Sequence, residues 1–185
     1  RFNTSGLDGN ILIVKSDGGI IMGRIKRGGL NGFGCLIDST GSYYVGDHFN
    51  DMPHGEGKYR VNGVKHKGQF KNGQPHGLGY TKRPDGIRTR GFYIDGEASG
   101  WCIELYPNGD RFEGEFYLGF PHGNSRVTYK NGDFLEGSYL SGKRHGTFVK
   151  FVRIPNEAPV QLEVEYENGE EVSCDRFEKN FELGQ

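Results

Sequence analysis

Four histidines recur in one context: His54, His76, His122 and His145 each precede a glycine. Repeated imidazoles suggest first a metal site or a general base. The spacing argues against both, because the copies lie 22, 46 and 23 residues apart and so belong to separate structural units. If each unit is a hairpin, equivalent rings stand about 10 Å apart, whereas a zinc–nitrogen bond is about 2 Å. No Ser-His-Asp or Cys-His set recurs, and a catalytic set has no reason to be copied four times. The three cysteines, Cys35, Cys102 and Cys174, contain no CxxC pair. Neither a zinc site nor a disulfide framework is expected, and scattered thiols suit a reducing compartment. Glu113 and Glu115 flank a glycine as a solvated strand face would. The chain is expected to be no enzyme, with no catalytic residue, metal or cofactor. The histidines should brace turns, their rings bonding backbone while Pro53, Pro75 and Pro121 stiffen the approach.

The elements that hold these residues follow from glycine phasing. Residues 112–123 read FEGEFYLGFPHG, and variants of this stretch recur at 44–55, 66–77 and 135–146, with weaker copies at 89–100 and 21–32. The first motif glycine falls at Gly23, Gly46, Gly68, Gly91, Gly114 and Gly137, in steps of 23, 22, 23, 23 and 23. A second series follows nine residues later, from Gly32 to Gly146, and a third runs Gly41, Gly63, Gly86, Gly109, Gly132. The 22-residue step is absorbed between Gly55 and Gly63, so one turn is shorter there. Short β-prone runs separated by Asn72-Gly73, Asn108-Gly109 or Asn131-Gly132 are hairpin signals, since both residue types tolerate positive φ.

Composition agrees. Of 185 residues, 32 are glycine and 13% are aromatic, while only 34% are hydrophobic, which favours short strands and an extended fold over a closed core. The expected fold is all-β: an elongated single-layer antiparallel sheet of stacked ~23-residue β-hairpins, a solenoid-like trough. Residues 1–20 should form a degenerate N-terminal cap hairpin, residues 21–153 six repeats, and residues 154–185 a divergent C-terminal hairpin with an acidic tail. Phe177 and Phe181, at i and i+4, suggest a short helix within residues 170–185. No run of 18 apolar residues occurs, so no membrane-spanning helix is expected. No signal-like apolar region opens the sequence.

The frame Y/F-x-G-x-F/Y-x-x-G-x-x-H-G at a 23-residue period resembles the MORN repeat (membrane occupation and recognition nexus). Departures are Asn31 and Ser99 for the histidine, His66 and Thr89 for the first ring, and His48 for the second. The usual GxG survives at Gly32/Gly34, Gly55/Gly57 and Gly77/Gly79, and is lost at Gly100/Cys102, Gly123/Ser125 and Gly146/Phe148. The resemblance implies a curved antiparallel sheet and a non-enzymatic scaffold in a cytoskeletal, ciliary or membrane-apposed assembly. It also implies an alternative, an accessory domain of a larger enzyme such as a lipid kinase or lysine methyltransferase; a further alternative, an acidic-phospholipid-binding module, rests on the basic residues described next.

Two surfaces carry the candidate contacts. Positions two before and two after each phase glycine share a sheet face. That face gathers Tyr44, Phe70, Tyr93, Phe112, Phe116 and Tyr139, with Ile25 and Leu135 filling in. These rings are either the core of a thin protein or the lining of a groove that takes a partner helix or peptide. The opposite face gathers Lys65, Lys67, Lys71, Arg88 and Arg90. Residues 58–90 hold nine Lys or Arg against Asp85 alone, whereas residues 157–185 hold nine acids. The basic set is a solvated outer face, or pairs with the acidic tail, or is a site for acidic lipid or an acidic protein surface such as tubulin. The net charge of −1 argues against nucleic acid as a partner. A terminal sheet edge leaves a homodimer or larger assembly open. The expected location is cytoplasmic, associated with cytoskeleton or membrane.

Overall fold

The computed structural model describes residues 8–176, and they form sixteen strands and no helix. The fold is all-β, as the glycine phases predict. The chain divides into two compact units, Arg1–Ser99 and Gly100–Gln185. The first holds β1 (Gly9–Val14), β2 (Ile20–Lys26), β3 (Gly29–Ile37), β4 (Tyr43–Phe49), β5 (Met52–Val61), β6 (Val64–Lys71), β7 (Gln74–Lys82) and β8 (Arg88–Ile94). Strand β9 (Glu97–Leu105) contains the boundary. The second unit continues with β10 (Arg111–Tyr117), β11 (Phe120–Thr128), β12 (Phe134–Leu140), the short β13 (Lys143–Arg144), β14 (Gly146–Val152), β15 (Val160–Glu167) and β16 (Glu170–Arg176). Within each unit successive strands pair antiparallel, giving open layers of consecutive hairpins; only β13 lies off this path, pairing with β12.

Two turn types alternate. Two-residue turns such as Asn72-Gly73, Asp95-Gly96 and Asn168-Gly169 have positive φ at both residues, the geometry that matches strand twist. The longer turns close through paired backbone bonds, as where Tyr106 N–H donates to Asp110 O (3.0 Å) and Gly109 N–H to Tyr106 O (3.0 Å). At the short step, Asn62-Gly63 takes the two-residue form where the other repeats have a longer loop, and Val61 pairs with Val64. That substitution accounts for the missing residue.

The phase glycines line up across the sheet. In the first unit Gly23, Gly34, Gly46, Gly57, Gly68, Gly79 and Gly91 lie directly opposite one another from β2 to β8. Rings lean over this bare row. A Cβ on Gly57 would meet the Tyr44 ring, and one on Gly79 would lie 2.5 Å from His66 Cε1. In the second unit the same row reads Cys102, Gly114, Ser125, Gly137. The residues that break GxG therefore sit on the glycine row, where Cys102 and Ser125 are small and buried, and Phe148 lays its own ring over Gly137. In each unit the core is a stripe of side chains along one face of its layer. Apolar clusters include Ile21, Ile25 and Leu30 in the first unit and Leu135, Phe148, Val164 and Tyr166 in the second.

The C-terminal expectation needs correction. Residues Glu170–Arg176 are strand β16, paired with β15, not the start of a helix. The Asn168-Gly169 hairpin turn forces the chain back onto the sheet. Phe177 and Phe181 lie outside the described residues.

Candidate functional site: inner groove and outer cations of the first unit

The histidine-glycine pairs sit at β-bulges rather than turns. In the second hairpin His48 pairs with Pro53 and Gly46 with Gly57, so residues 54–56 oppose Asp47 alone. The bulge glycine carries the positive φ (Gly55 +66°, Gly123 +70°). The side chain after the phase glycine closes the bulge: Gln69 Oε1 accepts from Leu78 N–H (2.9 Å) and Asp47 Oδ2 from Glu56 N–H (3.3 Å). The proline before each histidine works through its carbonyl. Gly73 N–H donates to Pro53 O (2.9 Å), Gly96 N–H to Pro75 O (2.9 Å) and Gly142 N–H to Pro121 O (2.8 Å), which ties each hairpin to the next. The histidine rings do not bond the backbone as expected. His54 tilts against Phe49 and His122 against Tyr117, both at 5.8 Å, while His76 approaches Asp95 at 3.4 Å. Among the described residues no three His, Cys, Asp or Glu gather as a metal site would require.

The inner face carries the rings. Tyr44, Phe70, Tyr93, Phe112 and Phe116 are buried, and Tyr139 is half-buried. Tyr44 meets Phe70 edge to face at 5.0 Å, and Phe112 meets Phe116 at 5.3 Å and Tyr139 at 5.5 Å. His48 and His66, which replace rings in the frame, are buried in ring positions too; His66 lies edge-on to Tyr93 at 4.9 Å and to Phe70 at 5.3 Å. Burial pushes the His66 imidazole down to about 4 and lowers His48 as well. Burial, reinforced by the Asp47 charge, pushes the Tyr44 phenol up to about 12, and its hydroxyl donates to Asp47 O at 2.8 Å.

Above this stripe the first unit opens a groove of about 610 Å³. Ile20, Ile21, Leu36 and Ile37 form one wall, Tyr59, Val61 and Val64 another, with Tyr44 and Phe70 on the floor and Lys15 and Asp38 among its few charged neighbours. Of the six predicted groove rings, Tyr44 and Phe70 line this cavity; the other four do not. Val61, 43% exposed, supplies apolar surface that the aromatic count overlooked, because it ends β5 at the shortened Asn62-Gly63 turn and is not an aromatic of the repeating frame.

The outer face carries the cations. Lys65, Lys67, Lys71, Arg88 and Arg90 are all exposed there. Register adds three more that sequence phasing missed. Arg60, Lys65, Lys82 and Arg88 are directly opposite one another across β5 to β8, and Lys58, Lys67, Tyr80 and Arg90 form the next row. Lys71 stands apart, at the β6–β7 turn. The rows were legible only once the turn lengths at 62–63 and 83–87 fixed which residues face each other.

A MORN-repeat family model matches residues 44–65, 66–88 and 112–134. The chain carries MORN repeats. The matched repeats span β4–β5, β6–β7 and β10–β11, the hairpins that keep the PHG ending. The MORN frame weakens at 89–111, where Thr89 and Ser99 stand in its ring and histidine positions, yet both remain buried in the pattern. MORN repeats are in general interaction modules for proteins or membranes. No curated protein matches the chain.

Proposed function

We propose that this chain is a non-enzymatic scaffold whose inner groove holds a helix or extended peptide of a protein partner. The observation that carries this reading is the groove of about 610 Å³ in the first unit, walled by aliphatic and aromatic side chains. Pockets of roughly 300–1,000 Å³ lined by apolar groups suit a few buried anchor side chains. An amphipathic helix would present such anchors at i, i+3 and i+4. The assembly is cytoskeletal, ciliary or membrane-apposed, and the location cytoplasmic. Affinity capture with the wild-type chain and with Val61→Lys tests the groove. Partners retained by the wild type and lost from Val61→Lys support it; identical retention by both proteins sinks it. Imaging of a tagged chain tests the location, and a diffuse signal with no attachment to filaments or membranes counts against the assembly role.

A further inference from the structure

The outer face of β5–β8 has no part in the groove. It presents seven cations on two cross-strand rows: Arg60, Lys65, Lys82 and Arg88 in one, Lys58, Lys67 and Arg90 in the other. Six are exposed and Lys82 is half-buried. Neighbours across strands stand about 4.8 Å apart and same-face neighbours along a strand about 7 Å. Among the described residues none of the seven lies within ion-pair distance of a carboxylate. Like charges placed directly opposite destabilise a sheet, so this arrangement calls for an anionic partner to offset the repulsion.

Two features choose among anions. Tyr80, 40% exposed, occupies the third place in the second row, between Lys67 and Arg90 and two residues along β7 from Lys82. The face of an aromatic ring is electronegative and repels a carboxylate, but it stacks well on a nucleobase. A polyacidic protein segment would gain only a hydroxyl hydrogen bond at the centre of these rows; a polynucleotide would gain a stacking platform. The second feature is twist. Adjacent strands rotate by about 20–25°, so Arg60 and Arg88, three strands apart, are turned by roughly 60–75° from one another. A planar membrane surface meets only part of such a face, whereas a flexible chain follows it. We propose that the outer face of β5–β8 binds a single-stranded polynucleotide, its phosphates on the two cation rows and one base stacked on Tyr80. The near-zero net charge that argued against nucleic acid averages this face with the acidic residues 157–185 and gives no guide to the local field.

The test is fluorescence anisotropy of the full chain with a labelled oligouridine of about 12 nucleotides, within the roughly 4–16 nucleotides that single-strand sites cover. Saturable binding is expected. With up to seven phosphates neutralised at a slope of about −0.7 each, affinity should fall about a thousandfold between about 50 and 200 mM salt. The double variant Lys67→Glu/Arg90→Glu should abolish binding. Tyr80→Ala should weaken it about tenfold without changing the salt slope, while Tyr80→Phe keeps it. Far-UV circular dichroism checks that these surface variants remain folded. Tighter binding to polyglutamate than to the oligonucleotide, or an unaffected Tyr80→Ala, overturns the proposal in favour of an acidic protein segment. Binding confined to phosphatidylserine vesicles overturns it in favour of lipid. No oligonucleotide binding at the lower salt sinks it outright. Val61→Lys, on the other face, should leave this binding unchanged, which separates its fate from that of the groove.

Discussion

His66 shows how far one side chain can depart from the role its chemistry suggests. Its ring fills a slot the frame reserves for Tyr or Phe, stacked on Tyr59 at 5.7 Å, with Nδ1 and the Thr81 hydroxyl 2.8 Å apart. Nε2 is buried with no hydrogen-bond partner, and the ring is 2% exposed. A charged imidazole there would lose its hydration and gain no counter-charge. The unfolded ring titrates near pH 6.5, the folded one at about 4. Between those values the unfolded chain takes a proton that the folded chain refuses. The stability conferred by the neutral ring is therefore complete above about pH 6.5 and is lost as pH falls toward 4, on the order of 3 kcal/mol in all. His66→Phe restores the frame's usual ring and removes this loss, at the cost of the Thr81 contact. Urea midpoints should show the variant close to wild type at neutral pH and clearly more stable at pH about 5. A smaller slope should persist from His48, whose ring is also shifted down by burial. An unchanged slope in His66→Phe would assign the acid sensitivity elsewhere.

At the scale of the hairpin, the two-residue turn sets the register and its weak copy is visible. Asn72 and Asn168 take φ near +50° with little strain, because their short polar side chains tolerate the left-handed region. Leu118 adopts +49° in the corresponding place of the β10–β11 hairpin, although it is 56% exposed and contributes little to any core. A non-glycine residue without such a side chain costs about 1–2 kcal/mol there. Leu118→Asn should raise stability by about 1 kcal/mol, read as a higher melting temperature; a lower one would mean that the leucine makes a contact outweighing its strain. The same turn logic explains what the sequence made legible. Glycine phase revealed the hairpins, the short step at Asn62-Gly63 and the buried face of Tyr44, Phe70 and Phe112, because positive φ and period-two alternation are local properties. It did not reveal that His54 and His122 mark bulges, since a bulge is defined by the partner strand. Nor did it place Arg60 and Lys82 beside Lys65, which depends on two turns at once. The spacing of Phe177 and Phe181 suggests a helix within residues 170–185, but the preceding Asn168-Gly169 turn decides Glu170–Arg176 as strand.

Across the molecule, pairing joins strands that are neighbours in sequence, so each hairpin rests on the ones before and after it. Stability in such an array is a sum of local terms and nearest-neighbour interfaces, not one global core. The glycine row gives a way to probe this. Gly137 has ordinary backbone geometry, and a Cβ there would lie 2.5 Å from the Phe148 ring at both Cγ and Cδ1. Phe148 is fully buried against Leu135, Val164 and Tyr166, so it cannot swing aside. Overpacking of this kind costs about 1–3 kcal/mol. Gly137→Ala should therefore loosen the layer around β12, β14 and β15. Amide hydrogen exchange in those strands should accelerate about tenfold or more, since each 1.4 kcal/mol is a factor of ten. Amides of β3 to β7, whose own glycine row and ring stripe are untouched, should exchange at the wild-type rate. Uniform acceleration across all strands would instead mean that the array unfolds as one cooperative body, and the additive picture of its repeats would have to be given up.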